Sequence, residues 1–301
     1  MLTKLKDGFQ SNLLYASPLS EFPEVSMKIA GLLVSVAVAA AVSGVGIAQQ
    51  PAPSPYYLVT CVKVKPDKGE EFGKWAADTV HKYAQARVNS GLLSTWLLLS
   101  RVLPGGTEGE CDYQVVAFYP GIPAKPMEEG EFDALMKKAG FAVTAEQYSK
   151  SLNALSETPT SGMFQMLVQT GSVQKGDYLS INYLKLKDPP MQNYQKWIDM
   201  ETKAWKPMSE FLMKEGITRG WSVDARVIPD GAAQTFDGLT VDVYPSWEAF
   251  FRLQSDPKFP EYWKKVHPDM DLDATFVEYE KYMTVTREEL WTVEDMVTAA
   301  K

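Results

Sequence analysis

Six polar side chains that could bind or activate a small molecule fall on one face of three predicted strands in the second half of the chain. Successive side chains of a strand point to opposite faces, so every second residue shares a face. The six comprise two carboxylates, two cations and two phenols: Tyr183, Lys185, Asp224, Arg226, Asp242 and Tyr244. Buried charges need partners. The pattern therefore predicts either a pocket for a small polar or weakly anionic ligand, or a structural network of ion pairs.

Asp224 and Asp242 are the inward-facing acids in this set. An acid or base catalyst needs a carboxylate or histidine whose pKa is shifted by its surroundings. Because an arginine or lysine is expected near both acids, we expect both to stay ionised. This favours a binding or structural role over catalysis, and no catalytic residue is assigned.

The corresponding strand face in the first half of the chain is more apolar. By the same alternation it comprises Cys61, Lys63, Thr95, Leu97, Leu99, Arg101, Val115, Ala117 and Tyr119. A cavity between the two faces would be polar on one side and apolar on the other. Such a cavity suits a small amphipathic ligand.

Motifs that would identify a cofactor or a nucleophile are missing from the sequence. It has no phosphate-binding glycine loop, no serine nucleophile elbow and no metal-binding helix motif. Two histidines and two cysteines are too few for a typical zinc or iron–sulfur site, so we predict no metal and no cofactor. His81 lies opposite the apolar side of its predicted helix, and His267 precedes Pro268 in a polar segment. We expect neither histidine to bind a ligand.

An internal repeat organises the chain. Two stretches match at an offset that grows from 122 to 125 residues along the copy. The matched pairs include Tyr56 with Tyr178, Trp75 with Trp197, Trp96 with Trp221, Arg101 with Arg226, and Tyr119 with Tyr244. We name residues 56–175 repeat 1 and residues 176–301 repeat 2.

Each repeat shows the order strand, helix, strand, strand, helix, strand, which is the ferredoxin-like βαββαβ unit. Its helices cover one sheet face, so the other face must find cover elsewhere. In repeat 2 we expect a last strand at Phe276–Thr286 and a C-terminal helix from Glu288 to Ala300. The arrangement resembles the dimeric α+β barrel superfamily, with two ferredoxin-like repeats fused in one chain. The resemblance implies an α+β fold whose antiparallel sheets pack into one barrel. Some relatives bind haem through a helical histidine, a role that neither histidine here matches.

The first 55 residues are expected to be leader and linker. Residues 1–26 form a polar leader or a non-native extension, and residues 27–48 have the basic start, apolar core and small-residue exit of a signal peptide. An uncleaved membrane anchor is the alternative, since about 20 apolar residues can span a bilayer. Residues 49–55 form a proline-rich linker. We therefore expect a secreted or periplasmic protein.

Charge and cysteine content constrain the partners. The net charge of −8 and the pI of about 5.0 argue against binding to nucleic acid, and after signal cleavage we expect no membrane association. The oligomeric state stays open. An oxidising compartment permits a disulfide between Cys61 and Cys111. Because bridging neighbouring strands is geometrically awkward, we expect one buried thiol and one loop thiol instead.

Two classes of function follow. The first is an exported barrel without a catalytic motif that binds a small molecule or a partner. The alternative is a small barrel enzyme, such as a cofactor-free monooxygenase, an isomerase or a haem-handling protein, that uses the repeat 2 side of the barrel cavity.

Overall fold

In the computed structural model, residues 55–104, 111–123, 125–231 and 234–299 are described. The residues predicted to form the leader, the signal peptide and, apart from Pro55, the linker lie outside these ranges. The described chain forms a closed antiparallel barrel with helices on its outer surface, which confirms the α+β fold class. None of the described helices is both long enough and apolar enough to cross a membrane.

The elements of repeat 1 follow the predicted order, with a short extra strand. They are β1 (Tyr56–Val64), α1 (Gly69–Trp75), a π-helical segment (Ala76–Val80), α2 (His81–Asn89), β2 (Thr95–Leu103), β3 (Tyr113–Phe118), α3 (Glu129–Lys138), α4 (Ala145–Leu155), β4 (Ser156–Glu157) and β5 (Ser161–Gly171).

Repeat 2 has the same order with additional helices before its last strand. Its elements are β6 (Tyr178–Leu186), α5 (Pro190–Met200), a π-helical segment (Glu201–Trp205), α6 (Lys206–Lys214), β7 (Gly220–Ile228), β8 (Gly238–Tyr244), α7 (Trp247–Gln254), α8 (Phe259–Val266), α9 (Leu272–Tyr279) and β9 (Met283–Thr298).

Pairing between the repeats closes the barrel. Within repeat 1 the strands lie in the order β2-β3-β1-β5, and within repeat 2 in the equivalent order β7-β8-β6-β9. The edge strand β2 pairs with β9, and β5 pairs with β7, so each repeat supplies the edges that the other lacks. Closure leaves the main ladders of the eight strands without a free edge, which removes a common route to aggregation.

Apolar residues fill both sides of the barrel wall. The interior holds a core that includes Leu97, Leu99, Ile181, Leu239 and Trp291. Separate cores lie between the outer face and the helices, one beneath the helices of repeat 1 and others beneath those of repeat 2. This double burial agrees with the argument that each sheet has one face covered by its helices and one covered by the other sheet.

The predicted C-terminal helix is wrong, because residues 283–298 form the long strand β9. The expected strand at Phe276–Thr286 is also misplaced, since α9 occupies its first part. Glutamates and leucine in this segment favour a helix locally. Strand β9 instead pairs with β6 on one side and β2 on the other, and this tertiary pairing outweighs the local preference.

Cys61 and Cys111 form a disulfide, so the expectation of two separate thiols is wrong. Cys61 lies opposite Gln114 in the β1–β3 ladder, and Cys111 precedes the first residue of β3. The bond therefore joins a strand to the loop that enters the neighbouring strand, and the constraint on bridging two paired strands does not apply. The Cα atoms are 5.2 Å apart, within the usual range for disulfides.

The two repeats pack the start of the long helix differently. The π-helical segments begin at Ala76 and Glu201, an offset of 125. At this offset the counterpart of the buried Trp197 is the buried Phe72, so the match of Trp75 with Trp197 in the sequence does not hold in the structure. The Phe72 ring contacts Tyr113, whose counterpart is Gly238, where an added Cβ would overlap the Trp197 ring. Repeat 1 therefore fills this space with the rings of Phe72 and Tyr113, and repeat 2 fills it with the Trp197 indole packed against Gly238.

Candidate functional site

The barrel encloses a cavity of about 350 Å³. Apolar side chains form most of its wall, and they include Leu97, Leu99, Val116, Ile181, Leu239 and Val243. The lining continues to one end of the barrel, where Ser172 is exposed to solvent. At this end Gly171 has a φ of 71° and lies so close to β7 that a Cβ would overlap the Arg219 carbonyl. A small, mainly apolar molecule fits such a cavity.

Asp224 is the charged residue in the wall of this cavity, and it is 1% exposed. Ser222 Oγ donates a 2.7 Å hydrogen bond to Asp224 Oδ2, and the Tyr57 hydroxyl also faces the carboxyl group. Among the described residues, none donates a hydrogen bond to Asp224 Oδ1. Burial raises the pKa of Asp224 to about 7, while the hydrogen bonds from Ser222 and Tyr57 act in the opposite direction.

A hydrogen-bonded network around Glu289 meets the barrel cavity at Tyr183. The Tyr183 hydroxyl donates a 2.8 Å hydrogen bond to Glu289 Oε2, and Trp291 Nε1 donates a 3.2 Å bond to the same oxygen. Gln114 Nε2 donates to the Tyr183 hydroxyl at 3.2 Å. Arg287 Nε lies 3.4 Å from Glu289 Oε1, and its guanidinium stacks on the Tyr183 ring. Tyr183 and Gln114 of this network line the cavity, and Glu289 holds the Tyr183 hydroxyl in place from behind them.

Four of the six predicted site residues point as the strand alternation predicts, but they do not form one cluster. Tyr183 and Asp224 line the barrel cavity. Lys185 Nζ forms a 2.8 Å ion pair with Asp237 near the strand end. The Arg226 guanidinium lies 4.3 Å from the centre of the Phe236 ring, which packs against the barrel core.

Asp242 and Tyr244 were placed on the wrong face. Both line a second cavity, outside the barrel wall, while Leu239, Val241 and Val243 of the same strand point inward. The prediction assumed that the apolar face of β8 meets the helices. The barrel interior is itself apolar, and it takes that face instead.

Strand β3 is reversed in the same way. Val115, Ala117 and Tyr119 pack with the helix-side core, while Gln114, Val116 and Phe118 line the barrel cavity. The inward positions predicted for Leu97, Leu99 and Thr95 on β2 are correct.

The expectation that neighbouring cations keep both acids ionised is also wrong. Burial, together with the nearby Glu288 carboxylate, raises the pKa of Asp242 to about 7. Lys185 pairs with Asp237 instead of either acid. Both acids therefore change protonation near neutral pH, as groups in functional sites often do.

The second cavity has a volume of about 480 Å³ and lies between the outer face of repeat 2 and its helices. We call it the outer cavity. Polar side chains of β6 and β8 form its floor: Ser180, Asn182, Thr240, Asp242 and Tyr244. Glu201, from the π-helical segment, forms part of the opposite wall. Burial raises the pKa of Glu201 to about 7, although hydrogen bonds from Tyr279 and Trp197 oppose this shift.

Neither histidine lines either cavity. His81 Nδ1 lies 2.6 Å from Asp295 Oδ2, on the surface side of α2. His267 is buried, contrary to the polar-loop expectation; its Nε2 is 2.8 Å from the Ala204 carbonyl, and its ring packs at an angle of 51° against Trp263. These positions do not fit a histidine ligand for haem iron in either cavity. The described residues also contain no cluster of three side chains suited to a metal ion.

The sequence analysis missed several residues that line the two cavities or support their walls. Tyr57 and Ser222 share strand faces with Cys61 and Asp224, so alternation alone could have placed them inward. Glu289 was hidden by the wrong helix assignment. Glu201 carries no pattern that distinguishes it from a surface glutamate of a helix, and only the packing of α9 over it creates the site.

The comparisons with known proteins concern the fold. No model of a known protein family matches the sequence, and no curated protein does. A structure from Fusobacterium nucleatum, whose name proposes a monooxygenase, is 12% identical with a TM-score of 0.48; the match covers 82% of this chain and 95% of that one. An anthrone oxidase-like protein is 11% identical with a TM-score of 0.47, over 84% of this chain and 95% of that one. A haem-binding protein from Thermus thermophilus is 11% identical with a TM-score of 0.37, over 81% of this chain and 92% of that one.

Proposed function

We propose that the protein binds a small, mainly apolar molecule inside the barrel and contacts the one polar group of that molecule through Asp224. The observation that carries the proposal is a buried carboxyl group with an oxygen that accepts no hydrogen bond from the described residues, in the wall of a ligand-sized apolar cavity. Buried polar atoms are normally satisfied, and an unsatisfied one calls for a partner.

The walls define the ligand class. A carboxylate in an apolar surrounding repels an anion, so the ligand proposed here is not the polar or weakly anionic one expected from the sequence. A neutral molecule with one hydroxyl donor can satisfy Asp224 Oδ1 and bury its hydrocarbon part against Leu97, Leu239 and Val243. Such a molecule would enter at the end of the barrel where the lining residue Ser172 is exposed to solvent.

The test compares 4-ethylphenol with ethylbenzene, which has the same hydrocarbon body and no hydroxyl group. At pH 8, where most Asp224 is ionised, calorimetry should show that the phenol binds about 10- to 100-fold tighter. This corresponds to the roughly 1.5–3 kcal/mol typical of a hydrogen bond to a charged group. Trp221 lines the cavity, so its fluorescence provides a second signal of binding.

Two variants identify the site. Asp224→Asn should remove most of the preference for the phenol while leaving ethylbenzene binding nearly unchanged. Val241→Phe should fill the cavity and abolish binding of both compounds. Equal binding of the two compounds to the unaltered protein, or a preference that survives Asp224→Asn, would contradict the proposal.

A second candidate function is proton abstraction, with Asp224 as the general base. It is favoured by the pKa of about 7, because a base works best when its pKa lies near the operating pH. Exchange of the benzylic CH₂ protons of phenylacetone in D₂O, followed by NMR, tests it. The exchange rate should rise with pH through about 7 as Asp224 ionises, and Asp224→Asn should abolish it. An exchange rate equal to that of acetate at the same concentration would reject catalysis and leave binding alone.

We also propose that the protein is exported. The disulfide between Cys61 and Cys111 supports this, because disulfides persist in oxidising compartments. Mass spectrometry of the protein recovered from its native cell should give a chain that begins near Gln49. A chain that still carries residues 27–48 would contradict cleavage.

A further inference from the structure

The outer cavity differs from the barrel cavity in its charge. Four carboxylates line it: Glu201, Asp242, Asp256 and Glu288. Its described lining includes no lysine, arginine or histidine. The four carboxylates come from four different elements or loops of repeat 2, so the fold collects them in one place. A wall with one sign of charge attracts a ligand of the opposite sign.

Glu201 offers a carboxylate oxygen to this cavity. The residue is 1% exposed. Trp197 Nε1 at 3.0 Å and the Tyr279 hydroxyl at 2.5 Å both donate to its Oε1. No described residue donates a hydrogen bond to its Oε2. A buried carboxylate held on one side, with its other oxygen in a cavity, is a preformed acceptor.

Asp242 faces Glu201 from the floor of the cavity. No described residue donates a hydrogen bond to its carboxyl group. Its negative charge makes ionisation of Glu201 less favourable. Ser180 Oγ donates a 2.7 Å hydrogen bond to Glu288 Oε1, which fixes a third carboxylate nearby. Acceptors from the π-helical segment, β8 and β9 therefore line one cavity, and no cation lies among the described residues of its lining.

Aromatic rings form the remaining side of the outer cavity. The Trp205 ring lies 5.4 Å from Phe276 and 6.4 Å from Tyr279, measured between ring centres. Phe276 is 42% exposed, so this wall reaches the surface and gives access to the cavity. Faces of aromatic rings attract cations and also bury apolar groups.

We propose that the outer cavity binds an organic cation with one primary ammonium group on a small aromatic or aliphatic body. The ammonium group has three N–H donors, which matches the acceptors on Glu201, Asp242 and Glu288. The apolar body packs against Trp205 and Phe276. A bare metal ion fits less well, because the described side chains form no three-ligand cluster.

The probe for this site is phenethylamine, with 2-phenylethanol as the uncharged control of the same shape. An alkylammonium has a pKa of about 10, so the probe stays charged at pH 8. Calorimetry at pH 8 should show saturable one-to-one binding of the amine and at least about tenfold weaker binding of the alcohol. Failure of the amine to saturate at millimolar concentrations, or equal binding of the alcohol, would overturn the proposal.

Three variants locate the binding. Asp242→Asn and Glu201→Gln should each weaken phenethylamine binding at least about tenfold, since each removes one charged acceptor. Asp224→Asn is the matched control, because it removes a buried acid from the barrel cavity and should change the affinity less than about twofold. An equal loss in Asp224→Asn would place the amine in the barrel and overturn the proposal.

The pH dependence of the unaltered protein gives a result that does not depend on any variant folding. Glu201, Asp242, Glu288 and Asp256 face the cavity, together with the Tyr244 and Tyr279 hydroxyls, whose pKa values lie well above 10. Glu201 and Asp242 hold part of their protons at pH 6.5. Binding of the amine should therefore release protons, seen as heat that depends on the buffer, and should tighten at least about threefold from pH 6 to pH 8. Proton uptake, or weaker binding at the higher pH, would contradict the proposal.

Discussion

The two cavities lie on opposite faces of the same strands, and they differ in what surrounds their acids. On β8, Leu239, Val241 and Val243 point into the barrel, whereas Thr240, Asp242 and Tyr244 point into the outer cavity. The alternation along the strand is plain from the sequence. Which face is inside depends on how the barrel closes, and closure is a property of both repeats together.

The two cavities differ chemically in the surroundings of one aspartate each, Asp224 in the barrel and Asp242 outside it. They lie on neighbouring strands, and burial raises the pKa of each to about 7. Asp224 has hydroxyl neighbours in an apolar wall, which suits one polar group on an otherwise apolar ligand. Asp242 has carboxylate neighbours, which suits a cation. The same residue type with a similar pKa shift therefore serves two ligand classes, and the neighbours decide which.

The largest expected effect concerns the structure that supports the outer cavity. Trp197 is 1% exposed, packs against Gly238 and donates to Glu201. Trp197→Ala should lower the free energy of unfolding by about 3–5 kcal/mol, as for other fully buried large side chains. Urea unfolding measures this. The control change Trp75→Ala, at the half-buried position that matches Trp197 in the sequence but not in the structure, should cost clearly less. Equal losses would show that Trp197 is not packed as described.

The next effect separates Asp224 from an ordinary surface acid. Its folded-state pKa is raised from 3.8 to about 7, so the folded protein holds the proton longer than the unfolded chain. Stability from this group is therefore fully present below about pH 4 and is lost as the pH rises to about 7. The free energy of unfolding of Asp224→Asn, relative to that of the unaltered protein, should therefore rise by roughly 2–4 kcal/mol from pH 4 to pH 8.

The control for this measurement is Asp273→Asn, at an exposed position on α9. Its stability relative to the unaltered protein should change little between the two pH values. Comparing each variant across pH cancels the fixed cost of the asparagine side chain. If the stability difference between Asp224→Asn and the unaltered protein is the same at both pH values, the Asp224 carboxyl group is not buried as described.

The smallest expected effect concerns a feature that the repeats share. Lys63 pairs with Asp112 and Lys185 pairs with Asp237, each at 2.8 Å, and each aspartate also accepts a backbone N–H from the strand. Lys63→Met and Lys185→Met should each cost about 0–1 kcal/mol, because the pairs are partly exposed. Thermal unfolding at low and high salt measures this. A loss above about 2 kcal/mol for one of them alone would break the equivalence of the repeats.

The fold could be predicted from the sequence because its signals are repeated. Arg101 and Arg226 occupy the same place in β2 and β7, and the strand–helix order recurs in both halves. The site residues were harder to predict. Alternation along a strand sorts its residues into two faces, but it does not show which face lies inside the barrel. Asp242 and Tyr244 were misplaced for this reason. Glu289 was missed because β9 is held by its two neighbours more than by its own residues.

The most direct test of the account is the pKa of Asp224, measured by NMR of ¹³C-labelled aspartate carboxyl groups and assigned with Asp224→Asn. We expect a value of about 7 in the free protein, because burial is the largest influence on it. Saturating 4-ethylphenol should lower this pKa, since a hydrogen bond to the carboxylate favours its charged form. A free value near 4, or a value that the phenol leaves unchanged, would contradict the claim that Asp224 is the polar contact of a ligand in the barrel.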